Sequence, residues 1–111
     1  MSELEDLLNQ LQMQNQQLQA TIMQKQSLFI QGKEIEKALE ELEKCGDEIY
    51  KSVGPILVKT EKKDIKIELT ENKEEIDIKL KAIEKQEKRL REKMAESQGK
   101  FQQMIPKGEG G

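Results

Sequence analysis

The stretch I-Y-K-S-V-G-P-I-L-V-K-T, from Ile49 to Thr60, decides the fold of this chain. It lies at the middle of 111 residues and carries the one strong β signal. Tyr50, Val53, Ile56, Leu57 and Val58 are aromatic, β-branched or apolar, and Gly54-Pro55 interrupts them at the centre. The pattern predicts a β-hairpin. A two-residue loop puts Gly54 where an unusual backbone conformation is needed. Pro55 lacks an N–H and constrains the residue before it, which suits a turn and not a strand interior. A wider loop is the alternative. Two strands alone are marginally stable in water. Ile56-Leu57-Val58 places apolar side chains on both faces, and the sequence offers no third strand of comparable strength. The hairpin therefore calls for hairpins of other subunits, with Tyr50, Val53, Ile56, Leu57 and Val58 as the candidate oligomerisation residues.

Outward from the hairpin, composition argues against a compact core. Hydrophobic residues make up 34% and charged residues 37%, with no Trp, one Tyr and two Phe. A coiled coil needs only an apolar seam and tolerates charge elsewhere. Residues 1–47 read as one long helix built from Leu, Gln, Glu, Lys, Ala and Met, starting at a Ser2–Glu5 capping box and ending at Gly46 as C-cap. Leu4, Leu11 and Leu18 recur every seven residues. Leu8, Ile22 and Phe29 form the adjoining row, with Asn15 as its polar member. Leu28, Ile35, Leu39 and Leu42 then take over, which predicts a one-position shift of the stripe near Leu28-Phe29. Asn15 either fixes register from the seam or sits in a loosely paired stretch. Gly32 marks either a bend or a close helix approach. Gln10, Gln12, Gln14, Gln16, Gln17, Gln19, Gln24 and Gln26 make this arm polar but almost uncharged.

Residues 61–105 read as the second helix. Leu69, Ile76, Ile83 and Leu90 form one heptad row; Leu80, Met94 and Phe101 form the other, which also holds Lys73 and Glu87. Glu75–Lys79, Asp77–Lys81, Glu84–Lys88 and Glu87–Arg91 have the favourable order at i,i+4. Two arms of matched length on either side of a hairpin predict a mainly α fold: an antiparallel two-helix coiled coil joined by a central β-hairpin. Residues 1–105 then form a single domain, with 106–111 a flexible tail. The pairing brings together Leu4, Leu7, Leu8, Leu11, Met94, Phe101, Met104 and Ile105 where the two helices end, more apolar surface than one stripe per helix buries. Either that surface binds something apolar, or these residues close the end of the coil or mediate dimerisation.

Chemistry is scarce. Without histidine there is no usual general base or metal ligand, and the abundant carboxylates sit among lysines on helical faces. No phosphate loop occurs. Cys45 is alone, which leaves no intrachain disulfide and no cysteine zinc cluster. No enzyme activity and no cofactor are expected. Net charge is −3 with both signs mixed, so nucleic acid is not an expected partner. No stretch approaches the roughly 20 apolar residues of a membrane span. Glu3, Glu5 and Asp6 stand where a secretory signal carries positive charge. The expected location is cytoplasmic.

K-A-L-E-E-L (37–42), I-Y-K-S-V-G-P-I-L-V-K (49–59) and I-E-K-Q-E-K-R-L-R-E-K (83–93), in that order over nearly the whole chain, resemble the β-type prefoldin family of archaea. A single hairpin and this length resemble its β and not its α type. The resemblance implies a hexamer of two α and four β subunits, with the hairpins joined in a β-barrel-like platform. It implies an ATP-independent chaperone whose coil ends, here Leu4, Leu7, Leu8, Leu11, Met94, Phe101, Met104 and Ile105, hold unfolded proteins and pass them to a group II chaperonin. The alternative is an adaptor coiled coil that oligomerises through its hairpin and holds one defined partner.

Overall fold

The computed structural model describes residues 2–105; Met1 and the expected flexible tail, 106–111, lie outside the described residues. The element order is α1 (Glu3–Lys44), β1 (Ile49–Val53), β2 (Ile56–Thr60) and α2 (Lys62–Met104).

Helix α1 starts as its sequence dictates. The Ser2 Oγ accepts the Glu5 backbone N–H at 3.1 Å, and the Ser2 carbonyl accepts that of Asp6 at 3.2 Å. Glu3, Glu5 and Asp6 set negative charge against the positive end of the helix dipole. The other end differs from expectation. Gly46 is not a left-handed C-cap, because Gly54 alone among the described residues has a positive φ. The last turn tightens instead, with the Cys45 N–H donating to the Leu42 carbonyl at 3.2 Å. The Lys62 ammonium, from the first turn of α2, then donates to the carbonyls of Cys45 at 3.1 Å and Glu43 at 3.4 Å. A cation on the free carbonyls does the work expected of glycine. Cys45 is exposed, and its thiol donates to the Glu41 carbonyl at 3.2 Å.

The hairpin closes on two residues, which settles the loop length. Val53 pairs with Ile56, and the antiparallel register runs through Ser52↔Leu57, Lys51↔Val58 and Tyr50↔Lys59 to Ile49↔Thr60. Gly54 has φ 56°. Pro55 follows with φ fixed near −65°. A positive then a negative φ is the type II′ pattern that matches strand twist, so glycine is required at position 54.

The chain comprises two compact units, Met1–Lys25 with Ala82–Gly111, and Gln26–Lys81. In the unit that holds the hairpin, Leu28, Leu42 and Ile76 are buried, with Ile35, Leu39, Ile65, Leu69 and Leu80 half-buried around them. Ion pairs cross between the helices from Glu36 to Lys73 at 3.5 Å and from Glu43 to Lys66 at 2.9 Å. Numbers rising on α1 meet numbers falling on α2, so the packing is antiparallel. In the unit that holds the helix ends, Leu7, Leu18, Ile83 and Leu90 are buried. Leu7 shares a groove with Met104, Gln14 with Ser97, and Thr21 accepts from Gln86 at 3.4 Å, again antiparallel.

The rows read for α2 are those observed. Ile76, Ile83 and Leu90 are buried, and Lys73, Leu80, Glu87, Met94 and Phe101 are half-buried. The reading of α1 needs correction. Its inward positions are Leu4, Leu7, Leu11, Gln14, Leu18, Thr21 and Lys25 in one unit and Leu28, Gly32, Ile35, Leu39 and Leu42 in the other. All belong to a single alternation of three and four, and the shift near Leu28-Phe29 does not occur. Leu8, Asn15 and Phe29 lie outside the seam and are exposed. Asn15 therefore does not set register. The true seam carries Gln14, Thr21, Lys25 and Gly32, and the carbon-rich neighbouring row of Leu8, Ile22 and Phe29 outcompetes it in a search for apolar repeats.

Two seam positions yield predictions. Gly32 is buried against α2, and a Cβ there would stand 3.4 Å from Ile76 Cγ2 and 3.8 Å from Lys73 Cε. That is ordinary van der Waals distance, so the packing leaves room for one methyl group there. Gly32→Ala removes the helix penalty of about 1 kcal/mol at small steric cost and should raise the melting temperature by a few degrees in circular dichroism. Gly32→Leu should lower it. Glu87 accepts from Lys25 at 3.0 Å and from Arg91 at 2.9 Å, with its side chain 14% exposed. Those two hydrogen bonds, then their charges, hold its carboxyl below the ordinary value of 4.5 against the opposing effect of burial. A lowered folded pKa means that the contribution is present above pH 4.5 and is lost as pH falls below it. Glu87→Gln should therefore lower the melting temperature at neutral pH and lose less of it between about pH 6 and about pH 3 than the parent does.

Candidate functional site

Two surfaces answer to the sequence reading, one in each unit. The first is the hairpin. Alternation along each strand puts Tyr50, Ser52, Leu57 and Lys59 on one face and Ile49, Lys51, Val53, Ile56, Val58 and Thr60 on the other. All five candidate residues are open to solvent, from 43% exposure at Val58 to 71% at Leu57. Only Ile49 and Thr60, at the base, are half-buried. The sheet has two strands, so each strand also presents one unpaired edge. The hairpin thus carries apolar side chains on both faces and unpaired backbone groups on both edges.

Charged groups fix the hairpin base to the helices. The Lys51 ammonium donates to both carboxylate oxygens of Glu68 at 2.9 Å, tying β1 to α2. Lys66 reaches Glu43 at 2.9 Å. The hydrogen bond from Lys66 and its charge, helped by Lys62, hold the Glu43 carboxyl below its ordinary value. Farther along, a hydrogen bond to Asp77 raises the Lys73 ammonium above its usual value, with the charges of Asp77 and Glu36 adding to it. Of the four i,i+4 pairs read along α2, Glu87–Arg91 is closed; Asp77 turns instead to Lys73 at 2.7 Å. The hairpin is thus presented on a braced base.

The second surface lies where the helices end. The eight residues read there divide into two sets. Leu7 is buried, and Leu4, Leu11, Met94 and Phe101 are half-buried along the two inward stripes. Leu8, Met104 and Ile105 are exposed, at 41%, 38% and 41%. Leu7 and Met104 line a groove of about 350 Å³ whose polar rim includes Glu3, Asp6 and Lys100. The first set closes the coil, and the second leaves large apolar side chains in solvent. Sequence reasoning missed further exposed apolar residues on α1: Met13, Met23, Phe29 and Ile30 are all more than half exposed. The Lys33 ammonium lies 5.3 Å from the centre of the Phe29 ring, a cation–π contact that partly covers it. A helical wheel built on the three-four seam places all four outside the inward face.

Among the described residues, no three His, Cys, Asp or Glu side chains come together to hold a metal ion. Among the same residues, no helix is long and apolar enough to cross a membrane.

Two long helices, packed antiparallel within each unit and joined by a two-stranded hairpin whose outer edges are unpaired, define a class of coiled-coil protein. A family model described as prefoldin subunit matches residues 5–108. The prefoldin β subunit of Archaeoglobus fulgidus is 50% identical over 56 residues, which cover 50% of this chain and 48% of that protein. That of Thermococcus gammatolerans is 47% identical over 53 residues, 48% and 45% of the two chains. The matched segment thus spans about half the length of these relatives. The crystal structure of the prefoldin β subunit from Thermococcus strain KS-1 superposes with a TM-score of 0.86 at 37% identity, covering 96% of both chains. The chain belongs to the prefoldin subunit family, on its β-type branch. That family is non-enzymatic.

Proposed function

We propose that this chain is the β-type subunit of a cytoplasmic chaperone that holds unfolded proteins without nucleotide. Residues 1–105 act as one domain, its hairpin joining those of α-type subunits and further copies in an α2β4 platform of barrel-like β-structure. The observation that carries assembly is the solvent exposure of Tyr50, Val53, Ile56, Leu57 and Val58 on a hairpin with two open edges. A two-stranded unit with apolar side chains on both faces needs partners. Family membership carries the chaperone reading.

Client capture falls to the helix ends. Leu8, Met104 and Ile105 supply the exposed part of the surface, and Leu4, Leu7, Leu11, Met94 and Phe101 become available as the coil end frays. Met is adaptable in shape, which suits clients of no fixed sequence. Each end binds weakly, and several ends on one platform raise the overall affinity through effective concentration. Transfer to a group II chaperonin follows when that partner competes for the client or for the ends.

Breadth of binding separates this reading from an adaptor coiled coil. The assembled protein, without ATP, should suppress light scattering from two unrelated client proteins diluted out of denaturant and should ignore their native forms. Binding to one native partner, with no suppression, would sink the chaperone reading. Leu8→Ser, Met104→Ser and Ile105→Ser combined should weaken capture by about tenfold or more while the hexamer mass in analytical ultracentrifugation stays unchanged. Leu57→Lys with Val58→Lys should do the reverse at the platform, abolishing the hexamer while helical circular dichroism is retained. If capture survives the triple substitution, the ends are not the client site.

A further inference from the structure

Sulfur is unevenly placed along this chain. Its five methionines are Met1, Met13, Met23, Met94 and Met104, and each falls within Met1–Lys25 or Ala82–Gly111, the unit that holds the helix ends. The unit that holds the hairpin, Gln26–Lys81, has no methionine, and Cys45 is its one sulfur. Met23, Met13 and Met104 are exposed at 69%, 61% and 38%, whereas Met94 is half-buried on the inward stripe of α2. Met104 lines the groove beside Leu7. Leu8 and Ile105 are as exposed as Met104 and carry no sulfur, so apolar contact alone does not call for methionine at the helix ends. What sets methionine apart from leucine and isoleucine is a thioether that adapts in shape and is open to oxidation.

We propose that Met13, Met23 and above all Met104 are oxidation sites, through which a hydroperoxide turns off client holding at the helix ends and leaves subunit assembly intact. These sites have that effect only if the helix ends hold unfolded chains, as proposed above. The thioether sulfur takes one oxygen atom from hydrogen peroxide. The O–O bond breaks, an S–O bond forms, the sulfur is oxidised by two electrons to the sulfoxide, and the peroxide is reduced to water. The change converts an apolar side chain into a polar one. At Met104 it removes apolar area from the surface that Leu8 and Ile105 share. The hairpin residues Tyr50, Val53, Ile56, Leu57 and Val58 offer the oxidant no sulfur. A thiol-dependent reductase returns the thioether, which makes the change reversible. Susceptibility follows exposure, so Met94 is the last of the four to react.

The test uses the assembled protein with Cys45→Ser, which leaves methionine as its only sulfur. It is treated with hydrogen peroxide, freed of peroxide with catalase, and titrated into fluorescent, reduced and carbamidomethylated α-lactalbumin, which stays unfolded. Peptide mass spectrometry should find sulfoxide at Met13, Met23 and Met104 before Met94. Anisotropy should show the probe bound about three- to tenfold more weakly, with the sedimenting mass unchanged. The two methionine sulfoxide reductases, one for each epimer, should restore binding. Met104→Leu should lose less on peroxide treatment, measured against its own untreated form. Untreated protein that fails to bind the probe overturns the chaperone reading, and the oxidation sites fall with it. Untreated protein that binds, with binding unchanged once Met104 is sulfoxide, overturns the oxidation sites alone. So does a loss that the reductases do not restore, or one that comes with dissociation of the assembly.

Discussion

In each unit a single stripe of α1 meets a single stripe of α2, and every other feature depends on that narrow contact. Its narrowness follows from composition. With 34% hydrophobic residues, the chain has little to bury beyond one seam. Even at the seam, the largest buried side chains keep 6–9% of their surface in solvent, as Leu18, Leu42 and Leu90 illustrate. A contact so thin is sensitive to what interrupts it. Gln14, Thr21, Lys25 and Gly32 replace large apolar residues along α1, and each is handled differently. Thr21 turns its hydroxyl back to the Gln17 carbonyl at 2.8 Å. Lys25 is matched by Glu87 across the seam. Gly32 faces Ile76 and Lys73. Gln14 alone keeps an acceptor without a donor. The seam spends part of its stabilising power on polar groups, which leaves the helices less firmly joined than an all-leucine stripe would make them.

The hairpin is the complementary case. It has no inward side of its own, and charged side chains hold its base: Lys51 paired with Glu68, Lys66 paired with Glu43, and Lys62 hydrogen-bonded to the last carbonyls of α1. Each of these pairs is largely exposed, so each contributes little to stability. Their role is geometric: they set the direction in which the strands leave the helices while the strands themselves remain bare. Charged contacts at the base fix the orientation of the hairpin and leave both of its outer edges unpaired.

The hairpin was legible because its signal is local. A positive-φ glycine, a proline that cannot continue a strand and five apolar residues around them leave little choice of structure. The α2 rows were legible because Leu69, Ile76, Ile83 and Leu90 are large and regular. On α1 the rows of Leu4, Leu11 and Leu18 and of Leu28, Ile35, Leu39 and Leu42 were right, and the row of Leu8, Asn15 and Phe29 was wrong. Burial there is decided by what α2 offers across the seam, and a glycine or threonine facing isoleucine is as much part of the interface as a leucine. Sequence gives no weight to such residues, so Leu8 and Phe29 were read as inward when both stand in solvent. The end of α1 was misread for a related reason. A lysine from a distant part of the chain satisfies the carbonyls, and no local pattern announces it. Among the eight residues read at the helix ends, apolar character alone could not separate those that close the coil from Leu8, Met104 and Ile105.

Exposed apolar side chains and charge are distributed differently on the two helices. The exposed apolar residues of α1 are dispersed among amides, not gathered into one stripe, which denies a second helix a seam to match. Phe29, the largest of them, carries the Lys33 ammonium over its ring. The opposing helix is the reverse in character. Between Ala82 and Lys100, α2 bears lysine, arginine and glutamate in close alternation, which keeps the coil hydrated where α1 has no charge to offer. Between Leu7 and Gln24 on α1 and between Ala82 and Lys100 on α2, exposed apolar surface and charge thus fall on different helices. The two are separable because a two-helix coil has no interior beyond its seam: each helix turns most of its surface outward, and each outer surface is free to take its own composition.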